Sequence, residues 1–370
     1  MALKEMGALA LLAALWAGSF LFIRMAAPEF GPLPLMAARV LCAALILGVV
    51  LSALRRPVRL RAYTGGVLVL GALNAAIPFT LIAWAELRLS ASLAAMLNAT
   101  VPLFTAVVGA VWLGEPIAAR LRGGLVLGIA GVGVLVGWSP LVPGTATALS
   151  VMAMLAAALC YAFAAVYTHL RLAGAPAPTL ALGQQLAAAA WLGLPALWSL
   201  PARAPAPRAM WALGALALLS TAIAYLLYFY LVARVGPTAT NSVTFLIPIF
   251  GAAWGRLFLN EPVTGGMLVG LACVLASLFL VVGRPAPSPR RPRSLKSEPI
   301  TEMATPTPAL LPCPFCGSPA ALEQHPCLPA ALRVACGEQG CGVRPATEYL
   351  LDEYHSELAA AWNARRPLSR

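Results

Sequence analysis

Charge is what this chain has least of. Only 10% of its 370 residues are Asp, Glu, Lys or Arg, against 61% hydrophobic. A water-soluble chain of this length carries roughly 25% charge to clothe its surface, so the solvent for most of this one is lipid. Before residue 284 the acids are Glu5, Glu29, Glu86, Glu115 and Glu261, and the lysines reduce to Lys4. Aspartate appears once, at Asp352, and the histidines (His169, His325, His355) are scattered. That poverty leaves no nucleophile–base constellation and argues against an enzyme. No Gly-x-x-x-x-Gly-Lys loop occurs, which excludes ATP drive on this chain. The net charge of +12 does not indicate nucleic acid either. Arg55, Arg56, Arg59 and Arg61 follow one apolar run, and Arg284, Arg290, Arg291 and Arg293 follow the last, where membrane topology signals sit.

What the chain does have is long apolar runs. Crossing the hydrocarbon core takes roughly 20 apolar residues per helix, and ten segments qualify: about 5–24, 34–53, 64–85, 90–113, 120–138, 147–169, 178–199, 209–233, 238–259 and 265–283. Prolines punctuate them at Pro28, Pro32, Pro34, Pro57, Pro140, Pro143, Pro176, Pro178, Pro201, Pro205 and Pro207. Lys4 before the first run and Ala26-Ala27 after it imitate a signal peptide, but nine further spans favour a retained helix. Arginines concentrate in alternate loops (Arg55, Arg56, Arg59, Arg61, Arg120, Arg122, Arg171, Arg234), which places both termini in the cytoplasm of a bacterial-type inner membrane.

The runs repeat. Leu113-Gly114-Glu115-Pro116 and Leu259-Asn260-Glu261-Pro262 each close an apolar run, 146 residues apart. The same offset carries Phe79 onto Tyr225, Pro102 onto Pro248, Gly109 onto Gly255 and Gly124 onto Gly270. Five spans per copy is an odd number, so the copies are inverted relative to one another, as alternating access requires. The expected fold is an all-α membrane protein of ten transmembrane helices in two inverted five-helix repeats, with a small zinc-ribbon-like domain at the C-terminus. The domains are 1–138 and 139–283 for the repeats, 284–310 for a basic, Pro-rich, disordered linker, and 311–370 for the tail.

Ser90-Ala91-Ser92-Leu93-Ala94-Ala95 through Pro102 to Leu113-Gly114-Glu115-Pro116, with Gly123-Gly124 and Gly131, resembles the EamA group of the drug/metabolite transporter superfamily. Pro248, Glu261-Pro262 and Gly270 repeat the pattern, and Arg39 matches an arginine common in that group. The resemblance implies ten helices and export of small metabolites, amino acids or drugs, with no cofactor for transport.

Mid-helix Pro102 and Pro248 free backbone carbonyls, which in lipid is tolerated only beside neighbouring groups or a cavity. Gly124 and Gly128, like Gly266 and Gly270, sit one turn apart and serve close helix packing. Glu115 and Glu261 read as turn fixtures or partners of loop arginines such as Arg120, with proton coupling as the sharper alternative. Arg39 falls inside the second span, where a guanidinium must find carbonyls, a carboxylate or an anionic solute group. At the equivalent place the second copy has Gln184. The expected substrate site comprises Trp16, Ser19, Arg39, Asn74, Asn98, Tyr161, Gln184, Tyr225 and Asn241, with Trp84, Gln185 and Tyr228 as further cavity or interface groups.

In the tail, Cys313, Cys316, Cys336 and Cys341 give a C-x2-C-x19-C-x4-C pattern, the ligand set of a closed, structural zinc ion, with His325 and Cys327 as rivals. Pro312-Cys313-Pro314-Phe315-Cys316-Gly317, that second cysteine pair and Ala361-Trp362-Asn363-Ala364-Arg365 resemble the Lar family of restriction-alleviation proteins. Met303 opens a stretch that reads as a fused neighbouring gene with no role in transport. The partners expected are a small solute, the bilayer, a second copy as homodimer, and a cytosolic protein at the tail rather than nucleic acid. The alternative function is a membrane-tethered regulator that presents the zinc module to a cytosolic protein or nucleic acid.

Overall fold

The computed structural model describes residues 3–113, 119–142 and 144–282, and the backbone of 320–325, 328–336 and 350–351. The chain divides into two compact units, Met1–Ala286 and Pro287–Arg370.

The first unit is built from Ala- and Leu-rich helices. Its elements are α1 (Leu3–Phe30), α2 (Pro32–Ala53), a 3₁₀ turn (Leu60–Tyr63) leading into α3 (Thr64–Gly71), a π-helical turn (Ala72–Ala76) and α4 (Ile77–Ala85). Then come α5 (Ala91–Asn98), α6 (Val101–Leu113), α7 (Ala119–Gly137), α8 (Thr145–Arg171) and α9 (Ala177–Leu197). The last third holds α10 (Pro207–Ala217), a second π-helical turn (Leu218–Ile223), α11 (Ala224–Asn241), α12 (Val243–Leu259) and α13 (Gly265–Val282).

Among the described residues eight helical spans are long and apolar enough to cross a membrane, and Val243–Leu259 and Gly265–Val281 are shorter apolar helices. All ten coincide with segments expected from hydropathy, with two refinements. The ninth expected segment, 238–259, is divided: α11 runs past Gly236, which leaves the helical conformation at φ 82°, and α12 starts only at Val243. A residue with a Cβ is strained at that φ, so glycine permits the break. The fourth span is divided too, between Asn98 and Val101, just before Pro102. The proline cannot donate to the preceding turn, and the chain closes there with Thr100 Oγ1 on the Leu97 carbonyl at 2.8 Å.

Packing joins the two halves in reciprocal pairs. The second spans meet each other (α2 with α9), as do the fifth and tenth (α7 with α13). α4 packs on α8 and α1 on α10; α6 packs on α8 and α1 on α12. Glycines set the closest approach. A Cβ at Gly270 would lie 2.6 Å from the Leu135 backbone nitrogen, and one at Gly131 would lie 3.1 Å from the Gly270 carbonyl. The expected helix-packing role of Gly124, Gly128, Gly266 and Gly270 is what the structure has, since each would press a Cβ into the facing helix.

The second unit is not helical where it is described. β1 (Ala320–His325), β2 (Leu328–Cys336) and β3 (Leu350–Leu351) form an antiparallel sheet in that order. Of the four expected zinc ligands, Cys313, Cys316 and Cys341 lie outside the described residues, as do the linker and rival Cys327. Cys336 ends β2, opposite Ala320 at the start of β1. His325 pairs with Leu328 at the other end of the hairpin, roughly 17 Å away at 3.3 Å per residue. Among the described residues no group of three or more His, Cys, Asp or Glu side chains assembles.

Candidate functional site

Arg39 is the eighth residue of α2 and is buried. Its guanidinium lies over the Phe79 ring, 3.8 Å from the centroid, and its Nε donates to Thr221 Oγ1 at 3.0 Å. Its Nη1 sits 4.0 Å from the Met36 sulfur, a weak acceptor. Among the described residues no carboxylate pairs with it. A charge held by one hydroxyl and one ring keeps donors free for something else.

Gln184, at the equivalent place in α9, repeats the arrangement with the roles of the halves exchanged. Asn74 donates from Nδ2 to Gln184 Oε1 at 2.8 Å, and Gln184 also faces the Tyr225 hydroxyl. Thus the second span of each half reaches into the π turn of the other. Arg39 meets Thr221 in Leu218–Ile223, and Gln184 meets Asn74 in Ala72–Ala76. These two π turns begin 146 residues apart, the offset of the sequence repeat. A π turn widens the helix and loosens its hydrogen-bond ladder, and such turns occur frequently at functional sites. Phe79 beneath Arg39 and Tyr225 beside Gln184 are likewise matched by that offset.

Around this centre, several buried polar atoms have no protein partner: both amide atoms of Gln185 and the hydroxyl of Ser220. Gln185 follows Gln184 and Ser220 precedes Thr221 in the chain, so these unpaired groups sit on the same two elements as the crossed pair. Tyr161 is half-buried and lies within electrostatic reach of the Arg39 guanidinium. Trp16 stacks obliquely on Tyr228 with centroids 5.6 Å apart, forming an aromatic wall from α1 and α11.

Of the nine expected site residues, Arg39, Asn74, Tyr161, Gln184 and Tyr225 come together. Ser19 does not contribute a free hydroxyl, because it donates to the Trp16 carbonyl at 2.6 Å within its own helix. Asn98 ends α5, half-buried. Asn241 ends α11, and its side chain lies outside the described residues. Thr221 and Ser220 were not among the expected residues. The signal for them was the 146-residue offset, which puts Asn74 on Ser220 and Ala75 on Thr221.

A second polar cluster lies at the end of the bundle where α4 stops. Glu261 accepts hydrogen bonds from the backbone N–H groups of Ala91 (2.8 Å) and Ser92 (2.9 Å) and from the Ser92 hydroxyl (2.7 Å). It is a fixture, as expected, but it holds the first turn of α5 in the other half rather than a loop arginine. The free N–H groups and positive dipole end of a helix suit a carboxylate. Ser90 caps the same turn by accepting from Leu93 N. Glu115, the counterpart of Glu261 in the first repeat, lies outside the described residues. Glu86, one residue beyond α4, is fully buried with neither carboxylate oxygen hydrogen-bonded, while its carbonyl accepts from Arg24 Nη1. Burial first, and the Glu261 charge second, hold its pKa well above the ordinary carboxylate range, against the pull of Arg24 and Arg39.

Long apolar helices around a buried polar centre define a multi-pass membrane protein. The sequence profile of the EamA-like transporter family matches residues 4–137 and again 148–283. The chain belongs to the EamA-like transporter family. It is 27% identical over 184 residues to the uncharacterized transporter YvbV of Bacillus subtilis, covering 49% of this chain and 59% of that protein. It is 36% identical over 75 residues to an uncharacterized transporter of Synechocystis, covering 20% of this chain and 23% of that one. A chloroplastic WAT1-related protein of Arabidopsis thaliana is 39% identical over 61 residues, 16% of this chain and 15% of its own length. The chain therefore spans less than two thirds of each of these relatives. A crystal structure of a further protein has the same fold, with TM-score 0.53 and 18% identity over 74% of this chain and 94% of that one.

Proposed function

We propose that residues 1–283 export small amphipathic metabolites, amino acids or drugs across the cytoplasmic membrane by alternating access, with halves 1–138 and 139–283 inverted and both termini cytoplasmic. The observation that carries this reading is the crossed pair at the centre, Arg39 with Thr221 and Gln184 with Asn74. Each half completes the polar turn of the other, so a shift between halves remakes the site rather than a distant hinge. The reciprocal packing of α4 on α8 and α1 on α10 supports the same symmetry.

Arg39 sets the chemistry of the cargo. It is a buried cation without a carboxylate partner among the described residues, and aromatic rings flank it. A solute with one anionic group and an apolar body fits that surrounding. Glu261 on α5 closes the end of the bundle that this topology puts outside.

Uptake of a panel of carboxylate-bearing, zwitterionic and neutral solutes into inverted vesicles, with and without a proton gradient, tests the proposal. Accumulation of at least one anionic solute, absent from vesicles lacking the protein, is expected. Movement of none of them removes the exporter reading.

For the tail, the four cysteines fit a structural zinc ion. The register sets Cys336 opposite Ala320, which follows Cys316 by four residues in sequence. Thiolates of that spacing would hold the ion and fix the strands. Metal analysis of the purified full chain should find one zinc, lost on Cys313→Ser with Cys316→Ser.

A further inference from the structure

A basic cavity lies at the opposite end of the bundle from Glu261, where α2 ends and the chain turns into α3. It measures about 700 Å³ and is lined by Arg56, Arg59, Arg61 and Ser52, with apolar walls that include Leu51 and Leu182. None of its lining residues is acidic. Among the described residues no carboxylate pairs with the three guanidinium groups. The three guanidinium groups are exposed, and gathered on one concave surface they give it a positive potential that favours an anion.

The cavity is held in shape. The Arg59 N–H donates to Thr179 Oγ1 at 3.0 Å, and Thr179 is fully buried at the start of α9. Leu60 presses on Gly183, where an added Cβ would lie 3.2 Å from it. At the other rim α2 closes through Arg56 N on the Leu51 carbonyl at 2.9 Å, and Arg55 takes a positive φ of 50° to turn the chain. The arginine loop is therefore fastened to α9 at one side and to α2 at the other.

We propose that this cavity binds the headgroup of an anionic phospholipid. The guanidinium groups take the phosphate, bidentate where geometry allows, and Ser52 contributes a hydroxyl. A free phosphate would satisfy the arginines but gain nothing from the apolar walls. A lipid uses both, because the α2 face next to the cavity exposes Leu45 (62%) and Val49 (70%) to the acyl region. Basic pockets between spans at a membrane interface suit this class of ligand. The site is independent of the transport reading. Since it bridges α2 and α9, which carry Arg39 and Gln184, an occupant ties the two halves together at this end.

The test uses the full chain in neutral detergent, with lipid binding read by native mass spectrometry and by the thermal unfolding midpoint. Phosphatidylglycerol, phosphatidylcholine and inorganic phosphate are the three probes. Phosphatidylglycerol is expected to bind about ten-fold more tightly than phosphatidylcholine and to raise the midpoint, while millimolar phosphate leaves the midpoint unchanged. Arg56→Gln with Arg59→Gln and Arg61→Gln should abolish that preference. Arg55→Gln, which removes a charge from the same loop but not from the cavity, should keep it. Leu182→Trp fills the apolar wall with every charge intact and should weaken phosphatidylglycerol binding, which covers a triple variant that fails to fold. Equal binding of the two lipids overturns the proposal, as does equal loss in Arg55→Gln. Protection by phosphate alone would assign the cavity to a soluble anion and overturn the lipid.

Discussion

Replacing Glu261 with glutamine asks whether a charge in one half holds a helix in the other. The carboxylate accepts from Ala91 N, Ser92 N and Ser92 Oγ at 2.7–2.9 Å. Glutamine keeps the shape but has one acceptor oxygen, and its amide nitrogen would face a donor. The Ser92 hydroxyl can rotate to accept, so one backbone N–H is left without a partner. An orphaned buried donor costs about 1–3 kcal/mol, and bonds to an ion lose roughly half their strength when the ion becomes neutral. Glu261 is itself 8% exposed, so relief from desolvating its charge offsets part of this. About 2 kcal/mol remains, roughly a 30-fold shift toward a state in which α5 is released. The assay is labelling of Asn98→Cys, in a background without the other cysteines, by a membrane-impermeant maleimide. On the proposed topology the rate from outside should rise roughly 30-fold in Glu261→Gln. Ser92→Ala alone should raise it less, and the two changes together should do little more than Glu261→Gln. Wild-type labelling in Glu261→Gln would refute the reasoning, and so would full additivity with Ser92→Ala.

The neighbouring Glu86 has a raised pKa, so the closed arrangement holds its proton and loses stability as external pH rises toward that pKa. Labelling of Asn98→Cys should accordingly accelerate at alkaline external pH, and Glu86→Gln should flatten that profile. Arg39→Gln copies the second half's residue into the first; kcat/KM for an anionic solute should fall by about ten-fold or more, with neutral solutes changed less than about three-fold, read as initial rates in vesicles. Gly270→Ala drives a Cβ to 2.6 Å from the Leu135 backbone nitrogen and should destabilise the α7–α13 pair by about 1–3 kcal/mol, seen as a lower unfolding midpoint in detergent. Gly133→Ala, on the partner helix α7 with open space around it, should leave that midpoint unchanged.

The spans were legible in the sequence because a bilayer imposes a length and an apolar composition that no packing detail can override. Arg39 and Gln184 were legible for a related reason: a polar side chain inside an apolar run has to be explained. Their partners were harder to see. Thr221 and Asn74 are small groups that many helices carry, and nothing local shows that each sits in a widened turn facing the opposite half. Glu261 was recognisable as a fixture, but its target was hidden because Ser90-Ala91-Ser92 looks like a self-sufficient helix start. Long-range partners of this kind, 169 or 170 residues apart, are decided by how the halves dock. Ser19 shows the converse, since a polar residue on the right face can spend its hydrogen bond on its own helix.

The two π turns bear on the history of the chain. Each is in effect one residue too many in an α-helix, and that extra residue rotates everything after it by about 100°. Removing it would swing Phe79 or Tyr225 away from the residue it now faces. Such an insertion is disruptive when it first occurs, and two independent insertions at the same offset would need that disruption twice. One insertion, made before a single ancestral segment was copied, accounts for both. On that account the widened turn is older than the pairing of the halves, and the difference between Arg39 and Gln184 came later.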